Sequence, residues 1–346
     1  MKMDKIVTDK QKNYGLSLLR IWMCFEVVLC HFWTVQETEK FNIFLEARNL
    51  AVPIFFLMSF LLTGKTMVGK LDKLRVKKRL YRLVCPQIVW SVLYFIVYYL
   101  LDLKWNLGLE NGIKDFVLQL FFGHTINQTM WYQVDLIIIT IIMLCIFGLC
   151  KEKTGILLIT ILGVLSVYLQ YSGWNVATFG NLPREISYPL GRITESVPFV
   201  IVGTLISHYN IEKILEKERW KMLIVLLAVI VTMFKVTIFV TPEGFQYSGM
   251  YNICMSSAMV MAFYLLPLTK LPEMGKKVIE FVSKYTLGIY CIHRLIRNLM
   301  SYLLYPHIAI VIPGTFSECI LVFSVSFIVV FLIGKIPVRY FKDAVS

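Results

Sequence analysis

Charge is scarce in this chain. Asp, Glu, Lys and Arg fill only 16% of its 346 residues, against about 25% in soluble domains, while 58% are hydrophobic. That balance excludes a soluble globular protein. Acids are scarcer than bases, 22 against 35, so the formal charge is +13 and the pI is near 9.3 despite a mean hydropathy of +0.69. A basic chain suggests a nucleic-acid partner. Here the apolar runs are long enough to span a bilayer and the bases fall between them, so no nucleic-acid partner is expected. The eight cysteines form no CxxC pair and sit in or beside apolar stretches, as small core residues do, and neither disulfides nor a metal site are expected. No Gly-rich phosphate loop, internal repeat or low-complexity tract stands out.

What the chain does have is apolar length. A membrane helix needs ~20 mostly apolar residues. Ten stretches qualify, at roughly 14–33, 50–68, 83–101, 131–150, 155–171, 192–209, 222–240, 249–268, 285–304 and 315–334. The loops between them leave no room for a soluble domain, so residues 1–346 read as a single all-α polytopic membrane domain. The first stretch has no small-residue cleavage pattern and does not read as a signal peptide. Short Lys/Arg-rich loops stay cytoplasmic. With both termini inside, the inner segments hold 25 bases, the outer loops 6, and four (Arg20, Lys235, Arg294 and Arg297) lie within apolar stretches. A multi-pass protein of the plasma membrane with cytoplasmic N- and C-termini is expected. Within 102–130, the run 113–123 has the pattern of a short amphipathic helix at the outer interface.

The densest charge run is 65–82, with eight bases against Asp72. Two readings are open: a topogenic stop in contact with anionic lipid, or a docking surface for a cytoplasmic polyanion.

Ionisable residues inside the membrane are expensive and mark functional sites. They are Arg20, Glu26 and His31 in the first span, Asp135, Glu195, Lys235, then His293, Arg294 and Arg297 in the ninth, and Glu318. Ion pairing inside the bundle accounts for part of this set. Arg20 and His31 are eleven residues apart, about three full turns plus 20° and a rise of ~16.5 Å, so they share one helix face. Glu26 lies off that face and is expected to meet another helix. The pair outlines a polar track across much of the membrane.

These residues also carry a family resemblance. The first span resembles the opening helix of the membrane acyltransferase-3 family, with its Arg-x10-His signature at Arg20 and His31. The run VPIFFLMSFLLTGK at 52–65 is similar to the family's Phe-Phe-x-x-Ser-Gly block through Phe55, Phe56 and Ser59, with Phe60 in place of the glycine. Arg79 and Arg82 match its cytoplasmic Arg-x2-Arg element, Trp131 and Tyr132 its Trp-aromatic pair, and Gly288, Tyr290 and His293 its Gly/Tyr/His block. The family's Glu-Arg-Pro ending is absent from KIPVRYFK at 335–342.

The resemblance implies a ten-helix enzyme that moves an acyl group, usually acetyl from cytoplasmic acetyl-CoA, onto a cell-surface or lipid-linked saccharide, surrounded by membrane lipids. Histidine suits a base or nucleophile near neutral pH. On this reading His31 either deprotonates the acceptor hydroxyl or carries the acyl group itself. Asp135, Glu195 and Glu318 are the acids available to orient it. Arg79 and Arg82, neighbours on one helix face, are expected to clamp the phosphates of acyl-CoA. Arg75, Lys77 and Lys78 would assist, and Arg20 would meet the pantetheine or thioester end. Two other classes fit such a chain: a transporter or flippase of lipid-linked saccharides, and a membrane sensor or scaffold without chemistry of its own.

Overall fold

The computed structural model describes residues 12–31, 42–68, 72–100, 108–123, 125–127, 129–171, 184–240, 249–303 and 315–345; within these, nothing is said of side chains at 42–48, 100, 108–111, 171, 184–186, 235–240, 249, 302 and 303. Thus the Lys235 side chain, Lys70 and the end of the first predicted span lie outside the described residues.

The described residues form fourteen α-helices, one 3-10 turn and no strand. The first five are α1 (Tyr14–Cys30), α2 (Asn42–Met67), α3 (Lys73–Leu100), α4 (Gly108–Phe122) and α5 (Trp131–Leu149). Then come α6 (Glu152–Tyr171), α7 (Arg184–His208), α8 (Ile211–Lys217), α9 (Arg219–Val240) and α10 (Gly249–Leu265). Last are α11 (Glu273–Lys284), α12 (Thr286–Leu303), α13 (Phe316–Lys335) and α14 (Arg339–Val345).

A helix stands at each of the ten apolar stretches. Seven of them, in α2, α3, α5, α6, α7, α10 and α13, are long and apolar enough to cross a membrane. The other three are α1, which is 17 residues long, α9, and α12, whose run contains His293, Arg294 and Arg297. The run 113–123 falls almost wholly in α4, whose buried Gln119 accepts from the amides of Ile126 and Asn127 at 2.9 and 3.0 Å and so ties the following loop to the helix.

Helix α1 is central. It packs against α2, α10, α11, α12 and α13, and Leu19, Met23, Cys24 and Val28 are fully buried. A helix surrounded by others can keep Arg20, Glu26 and His31 away from lipid, which explains how so polar a segment lies in the bundle. Asn13 caps its N-terminus, accepting from the Leu16 amide at 2.9 Å while its Nδ2 donates to the Tyr264 carbonyl at 2.9 Å. The most extensive contact pairs α2 with α7. It depends on Gly203, where any Cβ would collide with the Leu57 carbonyl oxygen, the small-residue approach that membrane helices use.

The chain end turns back into the bundle through α14. Trp90 Nε1 donates to the Ala344 carbonyl at 3.0 Å, the Tyr81 hydroxyl donates to Asp343 at 2.9 Å, and Ala344 and Val345 are buried. All eight cysteines are free thiols.

Candidate active site

The first half of α3 has two faces of different chemistry. Arg75, Lys78, Arg79 and Arg82 follow one another at helical spacing and line a cavity of about 670 Å³. Its other walls come from α1 (Arg20), α2 (Phe55 and Ser59), α5 (Tyr132) and α12 (Tyr290). Seven of the predicted site residues, Arg20, Ser59, Arg75, Arg79, Arg82, Tyr132 and Tyr290, therefore meet in one place, drawn from five helices. Lys77 does not join them. It points to the opposite face of α3 and lines a separate groove, because its position is about 160° around the helix from the arginine row.

Arg79 is the best-anchored of the row. Its Nη2 donates to Ser59 Oγ at 3.3 Å and Thr140 Oγ1 at 3.4 Å, and its guanidinium lies 4.9 Å from the Phe60 ring centroid. Phe60 is fully buried, so the residue that replaces glycine in the motif serves here as a platform for the arginine. Arg79 Nε is buried with no hydrogen-bond partner, an unspent donor beside the cavity. Arg75 also pairs with Asp72 at 3.2 Å and, like Arg82 and Lys78, is exposed.

Tyr132 and Tyr290 connect this cavity to the histidines. Their rings meet edge to face at 5.6 Å, and the Tyr290 ring is 6.3 Å from that of His293. The Tyr290 hydroxyl donates to the Thr129 carbonyl. His31, the C-cap residue of α1, stacks on His293 with ring centroids 5.3 Å apart and planes at 26°. His293 Nδ1 is 2.7 Å from the Tyr290 carbonyl and 3.3 Å from that of Ile289. Carbonyls only accept, so Nδ1 carries the proton and the lone pair of the neutral ring is on Nε2. His293 is fully buried, whereas His31 is partly exposed.

The turn of α12 that carries His293 is clamped from outside. The Tyr94 hydroxyl donates to the Cys291 carbonyl at 2.9 Å and accepts from the Leu295 amide at 3.0 Å. Asn127 Nδ2 donates to the same carbonyl at 3.1 Å.

Two of the three candidate orienting acids pair with arginines. Asp135 pairs with Arg192 at 3.3 Å, both nearly inaccessible. The Arg192 guanidinium lies between Trp131 and Tyr188, 4.9 and 4.8 Å from their ring centroids, and donates to the Phe122 carbonyl at 3.3 Å. Glu195 is exposed. Glu318 is fully buried and pairs with Arg297 at 3.2 Å. Glu26 accepts from Trp22 Nε1, one turn earlier in its own helix, at 2.7 Å.

Arg192, Thr140, Tyr94 and Asn127 had not been singled out from the sequence. Arg192 stands at the edge of the apolar run 192–209, whereas α7 begins two turns earlier at Arg184 and places it inside the helix. Among the described residues, no group of three His, Cys, Asp or Glu side chains gathers to hold a metal.

The acyltransferase-3 family model, described as an acyltransferase domain, matches residues 13–335. The chain therefore belongs to the acyltransferase-3 family, and it is a multi-pass membrane protein. No curated protein and no solved structure matches it.

Proposed function

We propose that this membrane acyltransferase transfers an acetyl group from cytoplasmic acetyl-CoA to a hydroxyl of a cell-surface or lipid-linked saccharide. The observation that carries the reading is the cavity in which Arg20, Arg75, Arg79 and Arg82 converge beside the aromatic pair leading to His31 and His293. Its volume falls in the ~300–1,000 Å³ range of sites for small molecules and cofactors. Guanidinium groups fit the pyrophosphate and 3′-phosphate of coenzyme A through paired donors. The Lys/Arg distribution assigns this end of the bundle to the cytoplasm, where acyl-CoA is available.

In this reading the phosphates seat on Arg75, Arg79 and Arg82, and the thioester extends past Arg20 and Tyr290 toward the histidine stack. His31 is the base rather than His293, because only His31 retains exposure to an arriving acceptor. It takes the acceptor hydroxyl proton as the acceptor oxygen bonds to the acyl carbon. The C–S bond then breaks, and the coenzyme A thiolate leaves and collects a proton. His293, its Nδ1 proton fixed on backbone carbonyls, keeps a neutral ring beneath the imidazolium that forms on His31.

The experiment uses membranes containing the full chain, acetyl-CoA labelled in the acetyl group and a cell-envelope acceptor fraction. Label should reach the acceptor, and a transient acyl-His31 would appear as label on the protein when acceptor is omitted. Substrate movement that ignores acetyl-CoA and survives His31→Ala would replace this reading with the transporter.

A further inference from the structure

The face of α3 opposite the arginine row borders a second cavity, an open groove of about 730 Å³ between α3 and the C-terminal helix α14. Its walls are apolar, with Val84 and Ile88 prominent, and Tyr81 and Tyr340 flank it. Two bases, Lys73 and Lys77, stand at one end and are exposed. The nearby acids are already matched: Asp72 pairs with Arg75 at 3.2 Å, and Asp343 pairs with Arg339 at 3.4 Å while accepting from Tyr81. The mouth of the groove is therefore net positive.

We propose that this groove is a binding site for one anionic phospholipid, with its phosphate on Lys73 and Lys77 and an acyl chain along α3. The dimensions support that occupant. From Lys77 to Ile88 the helix rises about 16.5 Å, close to the ~15 Å depth of one hydrocarbon leaflet. The lysines lie at the end that the Lys/Arg distribution assigns to the cytoplasm, the leaflet rich in anionic lipid. A long apolar trough ending in two ammonium groups matches a chain with a phosphate at its head. The site shares α3 with the acyl-donor cavity, but the binding experiment below is independent of the acyltransferase reading.

Native mass spectrometry of the detergent-solubilised full chain, offered equal amounts of phosphatidylglycerol and phosphatidylcholine, tests the site. The wild type should retain phosphatidylglycerol preferentially. The double variant Lys73→Gln/Lys77→Gln should lose most of that preference, about fivefold per lysine, with an unchanged melting temperature. Val84→Trp, which fills the trough, should reduce retention of both lipids, and Lys78→Gln on the opposite face should leave the preference unchanged. Equal retention of the two lipids by the wild type, a preference that survives the double lysine variant, retention that survives Val84→Trp, or a preference that Lys78→Gln removes would each overturn the proposal.

Discussion

His31 and His293 come from helices 262 residues apart in the chain and stack with ring centroids 5.3 Å apart, inclined by 26°. One ring is fixed by its Nδ1 bond to the Tyr290 carbonyl and is fully buried. The other caps α1 at the end of the eleven-residue interval that begins at Arg20. In the proposed mechanism two histidines that look alike in the sequence take different tasks, an accessible base and a fixed neutral support. His293→Phe keeps a flat ring beneath His31 and should retain measurable acyl transfer, whereas His293→Lys, which places a second cation there, should abolish it. Comparing the two turnover rates at equal expression checks this.

The clamp on α12 should be felt at His31 without touching substrate. Tyr94→Phe removes one hydroxyl that both donates to the Cys291 carbonyl and accepts from the Leu295 amide. Losing these two buried hydrogen bonds, with Asn127 Nδ2 still donating to the Cys291 carbonyl, should cost about 1–3 kcal/mol. The expected kinetic result is a lower kcat with the KM for acetyl-CoA unchanged. Equal effects on both parameters would instead place Tyr94 in donor binding.

Arg79 should not accept lysine. Its two donor contacts to Ser59 and Thr140 and its seat on Phe60 need a planar fork, and an ammonium reproduces neither. Arg79→Lys should raise the acetyl-CoA Kd at least about tenfold, the equivalent of one hydrogen bond to a charged group. Titration of purified protein with acetyl-CoA measures this directly.

The Asp135–Arg192 pair is a stability element between α5 and α7, away from lipid. Asp135→Asn removes one charge and strands the other, with an expected loss of about 3–5 kcal/mol and a clear drop in melting temperature in detergent. Asp135→Leu combined with Arg192→Met removes both charges and should recover most of that loss. The comparison separates pairing from shape.

The helices and the two ends of the site were legible in the sequence for simple reasons. Apolar length marks spans whatever their partners, and the Arg20/His31 interval reads directly as one helix face. The arginine row was legible as a charge run, although its faces were not separated: Lys77 adjoins Lys78 in sequence but looks the other way. The pairing of polar groups was not legible, because it depends on which helices become neighbours. Asp135 pairs with Arg192 and Glu318 with Arg297, and neither choice is written in the spacing of the chain. Phe60 is the subtlest case. It departs from the motif, and only the packing of α2 against α3 shows its ring lying against Arg79.

The central claim is a division of labour between an arginine-lined donor cavity and a histidine that performs the transfer. Acetyl-CoA binding and label transfer, measured on the same preparations of wild type, His31→Ala and Arg79→Lys/Arg82→Lys, test it most directly. The account predicts that His31→Ala binds acetyl-CoA like the wild type but loses transfer by at least about 100-fold, while the double arginine variant loses binding and recovers part of its rate at high acetyl-CoA. Full transfer by His31→Ala, or undiminished binding by the double arginine variant, would contradict it.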